Sequence, residues 1–255
     1  PTLSMDIRDL ISCLPWPIVA PSWVIPGGLA ENCRFLAEHV DHAQLLFFEA
    51  EACLAYTESD LPLGLADLGL SYHLHLPLDL DWESSPEAAL ATVLALAEKT
   101  DFLSPHSYIL HPPSNPALLQ EFVARWTTAG RNPAQVCVEN LAEHDPARHF
   151  PVMDTHGVSL CLDFGHALQA GHQHLLRPEV LSRAAMVHVN APCPKGSSRH
   201  GDLARLTPGE STELTDLLKQ MSPDTFLVLE VFSWPEWVDS LQRLHDLARK
   251  ERLVT

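Results

Sequence analysis

The sequence predicts an α/β fold, a single (β/α)8 TIM barrel. Three observations predict it. Eight short apolar segments recur along the chain, helical stretches lie between them, and the 255 residues suit one such barrel. The first strand falls near residues 17–25 and the last helix near 235–250, which leaves one domain over 1–255.

The strand candidates, in order, are PIVAPSWVI (17–25), AQLLFFEAE (43–51), LSYHLHLP (70–77), SYILHPP (107–113), QVCVENL (135–141), SLCLDFGHA (159–167), AAMVHVNAP (184–192) and TFLVLEVFS (225–233). Each is mostly apolar until a polar residue closes it, as buried parallel strands are. Between them, Ser85-Pro86-Glu87 opens a helix with a cap, a first-turn proline and an acid. Asn115-Pro116 opens another, and Gly130 stands where a C-terminal glycine belongs. GLAENCRFLAEHV, TELTDLLKQM and PEWVDSLQRLHDLARKE have amphipathic periodicity, whereas 142–157 and 168–183 suggest short or broken helices. An open doubly wound sheet is the alternative, but Ile25-Pro26-Gly27-Gly28 after the first strand is not its Gly-rich phosphate loop.

Composition narrows the function. Hydrophobic residues make up 46% of the chain, which excludes disorder, and no apolar run reaches the ~18 residues of a membrane span. No signal peptide is expected, and six cysteines without a C-x2-C pair read as reduced thiols, so a cytoplasmic location is expected. With 33 acidic against 16 basic residues, the net charge of −17 disfavours nucleic acid and leaves a small-molecule substrate. Homo-oligomer formation is left open.

The 15 histidines are the compositional oddity, and several close strands. Glu49 ends the second strand, His73 and His75 the third, His111 the fourth, Glu139 the fifth, Asp163 the sixth, His188 the seventh and Glu230 the eighth. His166 follows Asp163, and Ser198, His200 and Asp202 follow the seventh strand. In a barrel these ends share one mouth. Alternation puts Glu139 on the face of Cys137, Asp163 on that of Cys161, His188 on that of Met186 and Glu230 on that of Val228. Buried carboxylates without partners are costly and basic residues are scarce at these ends, so divalent metal is the economical reading. Imidazole with carboxylate suits zinc, with manganese as the alternative. His39, His42, His106, His144, His149, His156, His172, His174 and His245 fall outside the ring and read as surface or helix residues.

VCVENL, LCLDFGHA, MVHVN and VLEVF resemble the xylose-isomerase-like barrel superfamily over roughly residues 16–250. That superfamily contains sugar isomerases and epimerases, and also phosphodiesterases of the endonuclease IV type. The resemblance to the isomerases implies one metal on Glu139, Asp163, His188 and Glu230. The resemblance to the phosphodiesterases adds His75, His111, His166 and His200 and up to three metals. It also implies an aspartate where Ser198 stands, unless Asp202 supplies the carboxylate. LLFFE, YHLHLP and His200-Gly201-Asp202 resemble the cobamide-remodelling phosphodiesterases in particular. The expectation is therefore a metal-dependent phosphodiesterase, with Glu139 bridging metals and Glu139 and Glu230 catalytic; the alternative is a mononuclear sugar isomerase or epimerase. His73, Glu49, Trp23, Lys195, Arg199 and Asp202 are the expected substrate contacts, with Glu49 also a candidate to orient a ligand imidazole. Trp23 and Trp234 read as core or rim packing, with a flat apolar wall for a ring substrate as the alternative.

Overall fold

A computed structural model describes residues 6–193 and 200–254. Eight parallel strands close into a barrel in sequence order. They are β1 (Ile18–Pro21), β2 (His42–Leu46), β3 (Ser71–His75), β4 (Ser107–Leu110), β5 (Val136–Glu139), β6 (Ser159–Asp163), β7 (Ala184–Val189) and β8 (Phe226–Leu229). β1 closes the ring on β8 through Ile18–Leu227 and Val19–Val228. Helices lie between successive strands, so the fold is a (β/α)8 barrel, as the apolar segments predict.

Two cores hold it. Leucines, valines and aromatics fill the layer between strands and helices, including the fully buried Trp126 and Trp237. Val19, Ile109, Cys137, Cys161, Met186 and Val228 fill the barrel itself. Because strand side chains alternate, the residues two positions further on also point inward. Those residues are His111, Glu139, Asp163, His188 and Glu230, so polar groups sit directly above an apolar layer.

Every strand is shorter than its apolar segment. The ladder stops where the chain turns outward, and the remaining apolar residues, such as Phe47, Phe48 and Phe232, belong to loops at the mouth. Helix Pro116–Thr128 is capped by Asn115, whose side chain accepts from the Ala117 N–H. Ser85 precedes helix Pro86–Lys99 but makes no side-chain cap bond, because its backbone (φ −143, ψ 59) is not in a capping conformation. The two unclear stretches contain short helices, Phe150–His156 and Pro178–Leu181, and a further one, Phe164–Ala170, runs from the end of β6 into the second stretch. Phe150–His156 and Phe164–Ala170 end on Gly157 and Gly171 at φ 71 and φ 70, a left-handed turn glycine takes without strain.

Not all the remaining histidines are surface residues. His149 and His245 are buried. His42, His73 and His106 surround the Phe226 ring inside the lower barrel, at centroid distances of 5.3, 4.5 and 4.6 Å. No helix among the described residues is long and apolar enough to cross a membrane.

Candidate metal centre

Glu139, the last residue of β5, is buried and offers its two oxygens to two sets of partners. Oε2 lies 3.1 Å from His75 Nε2 and 3.0 Å from His111 Nε2. Oε1 lies 3.0 Å from His188 Nδ1. That nitrogen is also 3.3 Å from Glu230 Oε2 and 3.9 Å from Asp163 Oδ2. On the far side, Glu230 Oε2 lies 3.0 Å from His200 Nδ1. Among the described residues five overlapping groups of ligand atoms lie within 4.8 Å of one another. Three of them are His75, His111 and Glu139; Glu139, Asp163, His188 and Glu230; and Asp163, His166 and His200. The other two, His75, His188 and Glu230, and Glu139, Cys161 and His188, overlap these.

Backbone carbonyls decide which ring nitrogen points inward. His75 Nδ1 is 3.0 Å from the Leu76 carbonyl, and His166 Nδ1 is 3.0 Å from the Asn140 carbonyl. A carbonyl only accepts, so Nδ1 carries the hydrogen in both rings and Nε2 is left for a ligand. Asp163 is held from three sides. Its Oδ1 accepts from the His166 N–H at 2.6 Å and its Oδ2 from Asn190 Nδ2 at 2.9 Å. Asn140 bridges to its backbone in both directions, accepting from the Asp163 N–H at 2.7 Å and donating to its carbonyl at 2.8 Å. Gly165 makes room for this: a Cβ there would stand 1.8 Å from Asn190 Oδ1.

Electrostatics point to a missing positive charge. Burial would push the Glu139 carboxyl up, but His188 and His111 beside it hold it well below the usual carboxylate range. Burial likewise opposes ionisation of Glu230, and His188 and His200 outweigh it. Burial disfavours a charged His200, yet Glu230, Asp163 and Glu139 push its imidazolium up to about 9. In the metal-free protein, protons on the histidines thus balance these carboxylates. The donor set fits a divalent ion. Imidazole and carboxylate suit zinc or manganese, and Glu230 Oε2 and His200 Nδ1 are buried without an aligned hydrogen-bond partner.

These groups face a cavity of about 520 Å³ at the C-terminal mouth, within the range of small-molecule sites. His75, His111, Glu139, His166, His200 and Glu230 line one arc of it; Phe232, Trp23, Leu46, Phe47, Phe48 and Leu78 line the other. Trp23 is 49% exposed and meets Phe48 edge-on at 5.5 Å.

Several expected residues lie elsewhere. His73 is buried beneath the rim, its Nδ1 2.8 Å from Ser107 Oγ. Two residues along a strand span about 6.6 Å, so it does not reach the cavity that His75 lines. Glu49 is exposed at the start of helix Ala50–Leu54 and touches no ligand imidazole. The acceptor that orients His188 is Gln44, whose Oε1 is 3.0 Å from His188 Nε2. Asp202 joins none of the ligand groups among the described residues; its oxygens accept from the Ala204 N–H and from Arg205 Nε. Trp234 stacks on Trp237 at 5.0 Å and does not line the cavity; Phe48 meets Trp23 at the mouth instead, and Phe232 packs against His200. Lys195, Ser198 and Arg199 lie outside the described residues. Sequence reasoning missed Gln44, Asn190 and Gly165. The one signal for Gln44 was a polar residue inside an apolar strand.

No protein-family model matches the chain, and no curated protein sequence matches it. Solved structures match over most of its length. A xylose isomerase domain protein from Planctomyces limnophilus is 15% identical, covering 92% of this chain and 97% of that one at a TM-score of 0.63. A D-psicose 3-epimerase with D-tagatose from Clostridium cellulolyticum H10 is 12% identical, covering 92% and 98% at 0.63. A xylose isomerase-like TIM barrel protein from Mycobacterium smegmatis in complex with magnesium is 12% identical, covering 95% and 98% at 0.59. At such identities the likeness establishes the fold alone, a (β/α)8 TIM barrel.

Proposed function

We propose that the chain is a metal-dependent hydrolase of a small-molecule phosphodiester. The observation that carries this reading is the division of Glu139 between two ligand groups, with His75 and His111 on one oxygen and His188 on the other. A single-metal site has no need of the first group or of Asp163, His166 and His200 as a third. His75, His111, Glu139, Asp163, His188 and Glu230 would hold divalent ions, zinc first and manganese second, which would supply Lewis acidity and activate water at neutral pH. Glu139 fixes the spacing of the groups, and Glu230 and His200 hold the proton inventory at Glu230 Oε2 and His200 Nδ1. Where His166 and His200 do not hold a third ion, their imidazoles orient phosphoryl oxygens, while the apolar residues from Phe232 to Leu78 seat the body of the substrate and exclude water. The acidic chain argues for a small ester over a polynucleotide. The nucleotide loop of a cobamide is the first substrate to test, on the resemblance of LLFFE, YHLHLP and His200-Gly201-Asp202.

The second reading is a mononuclear sugar isomerase or epimerase, with Glu139 and Glu230 as the acid–base pair. The neighbours favour it: one is an epimerase with D-tagatose and another holds magnesium. Ligand geometry favours the first reading and the comparisons favour the second, so metal content decides. Elemental analysis of protein purified without chelators should find two or three ions per chain, with turnover of bis(p-nitrophenyl) phosphate. One ion per chain, no phosphodiester turnover and epimerisation of a ketose would establish the second reading.

A further inference from the structure

Gln44 lies fully buried in β2, three strands around the barrel from Glu139 at the end of β5. A buried amide must place both its donor and its acceptor correctly, and here the two neighbours dictate how. Its Nε2 is 3.4 Å from Glu230 Oε1, and its Oε1 is 3.0 Å from His188 Nε2. An ionised carboxylate only accepts, so the amide nitrogen faces Glu230 and the amide oxygen is left for the imidazole. The reverse orientation would set two acceptors against each other. His188 Nε2 must then carry a hydrogen to meet the Gln44 oxygen, and its Nδ1 is the nitrogen left to bind a cation. That Nδ1 faces Glu139 Oε1, Glu230 Oε2 and Asp163 Oδ2. The same amide occupies Glu230 Oε1, so Oε2 is the oxygen turned toward the centre, where it has no aligned partner.

We infer that Gln44 is the positioning residue of the central ligand group: one side chain fixes the tautomer of His188 and the free oxygen of Glu230, and so sets two of four ligands for a divalent cation. The inference rests on the metal-centre reading, and it concerns affinity and geometry whichever reaction the site performs. Glutamine suits the task because no other uncharged side chain of this length carries a donor and an acceptor side by side. Gln44→Met keeps the volume and removes both bonds.

The test measures zinc binding by equilibrium dialysis on the full chain, wild type beside Gln44→Met, with the thermal midpoint of each metal-free protein as control. Removing an outer hydrogen-bond partner costs about 10–100-fold in metal affinity. A loss of that size in the tightest zinc site, with metal-free midpoints within a few degrees, is the expected result. Equal affinity in a folded variant overturns the role of Gln44 and leaves the metal centre standing. A wild type that binds no zinc overturns the metal centre itself. Should the variant not fold, nitrogen NMR of zinc-loaded wild type decides: His188 is expected with a protonated Nε2 and a zinc-bound Nδ1, and the opposite assignment overturns the inference.

Discussion

Glu139 gives one oxygen to His75 and His111 and the other to His188, so neutralising it should release more than one ion. Glu139→Gln is expected to bind at most one divalent ion per chain, with affinity lowered more than about 100-fold, beyond the effect of an outer partner. Equilibrium dialysis checks this, and full metal content in the variant would remove Glu139 from the ligand set. His111→Ala separates the two functional readings. It should abolish turnover of bis(p-nitrophenyl) phosphate, whereas a mononuclear isomerase would keep its metal and show at most a raised KM. Protons and metal compete for the same atoms, which gives the site a pH dependence of known sign. His200 is raised to about 9 in the folded metal-free protein, so its contribution is complete below about 6.5 and lost as pH rises through about 9. Glu139 and Glu230 are lowered, so their contribution is present above the ordinary glutamate value and lost as acid is added. Denaturant unfolding at pH 6, 7.5 and 9 should therefore show metal-free stability falling toward pH 9. The metal-loaded protein should keep its stability there. A gap between the two forms that stays constant with pH would show that metal does not replace those protons.

At the scale of elements, the joint between β6 and helix Phe164–Ala170 is the most exacting. Gly165→Ala would drive a methyl group into the Asn190 amide, and overpacking of this kind costs about 1–3 kcal/mol. Chemical denaturation should show that loss, together with weaker metal binding as Asn190 leaves Asp163; an unchanged midpoint would mean that the helix shifts freely. Asn140→Ala strips the Asp163 N–H and C=O of their partners, at about 1–3 kcal/mol for each buried group left unpaired. The eight strands were legible because apolar runs alternate with helical periodicity, and the inward ring followed from period two alone. Strand ends were not legible, since Phe47, Phe48 and Phe232 are as apolar as the ladder residues before them. Asn140 was visible only as a possible helix cap, because its role is a bridge to a strand 23 residues away. His73 shares a face with His75, and alternation gives the face but not the depth at which the cavity begins.

For the whole molecule, seventeen excess negative charges and a ring of buried carboxylates favour any state that brings in cations. Zinc at 100 times its dissociation constant should add about 2.7 kcal/mol per site, and a chelator should reverse the gain in thermal midpoint. No shift on chelation would argue against a resident ion. The division of the mouth into a ligand arc and an apolar arc has a stereochemical consequence. The two non-bridging oxygens of a phosphodiester whose two ester groups differ are stereochemically distinct positions on one phosphorus. Once the body of the ester lies against Trp23 and Phe48, only one of those oxygens can turn toward Glu139 and its histidines. The barrel is thus a chiral environment, and if the proposed phosphodiesterase reading holds it should distinguish the Rp from the Sp phosphorothioate of an ester with two different groups.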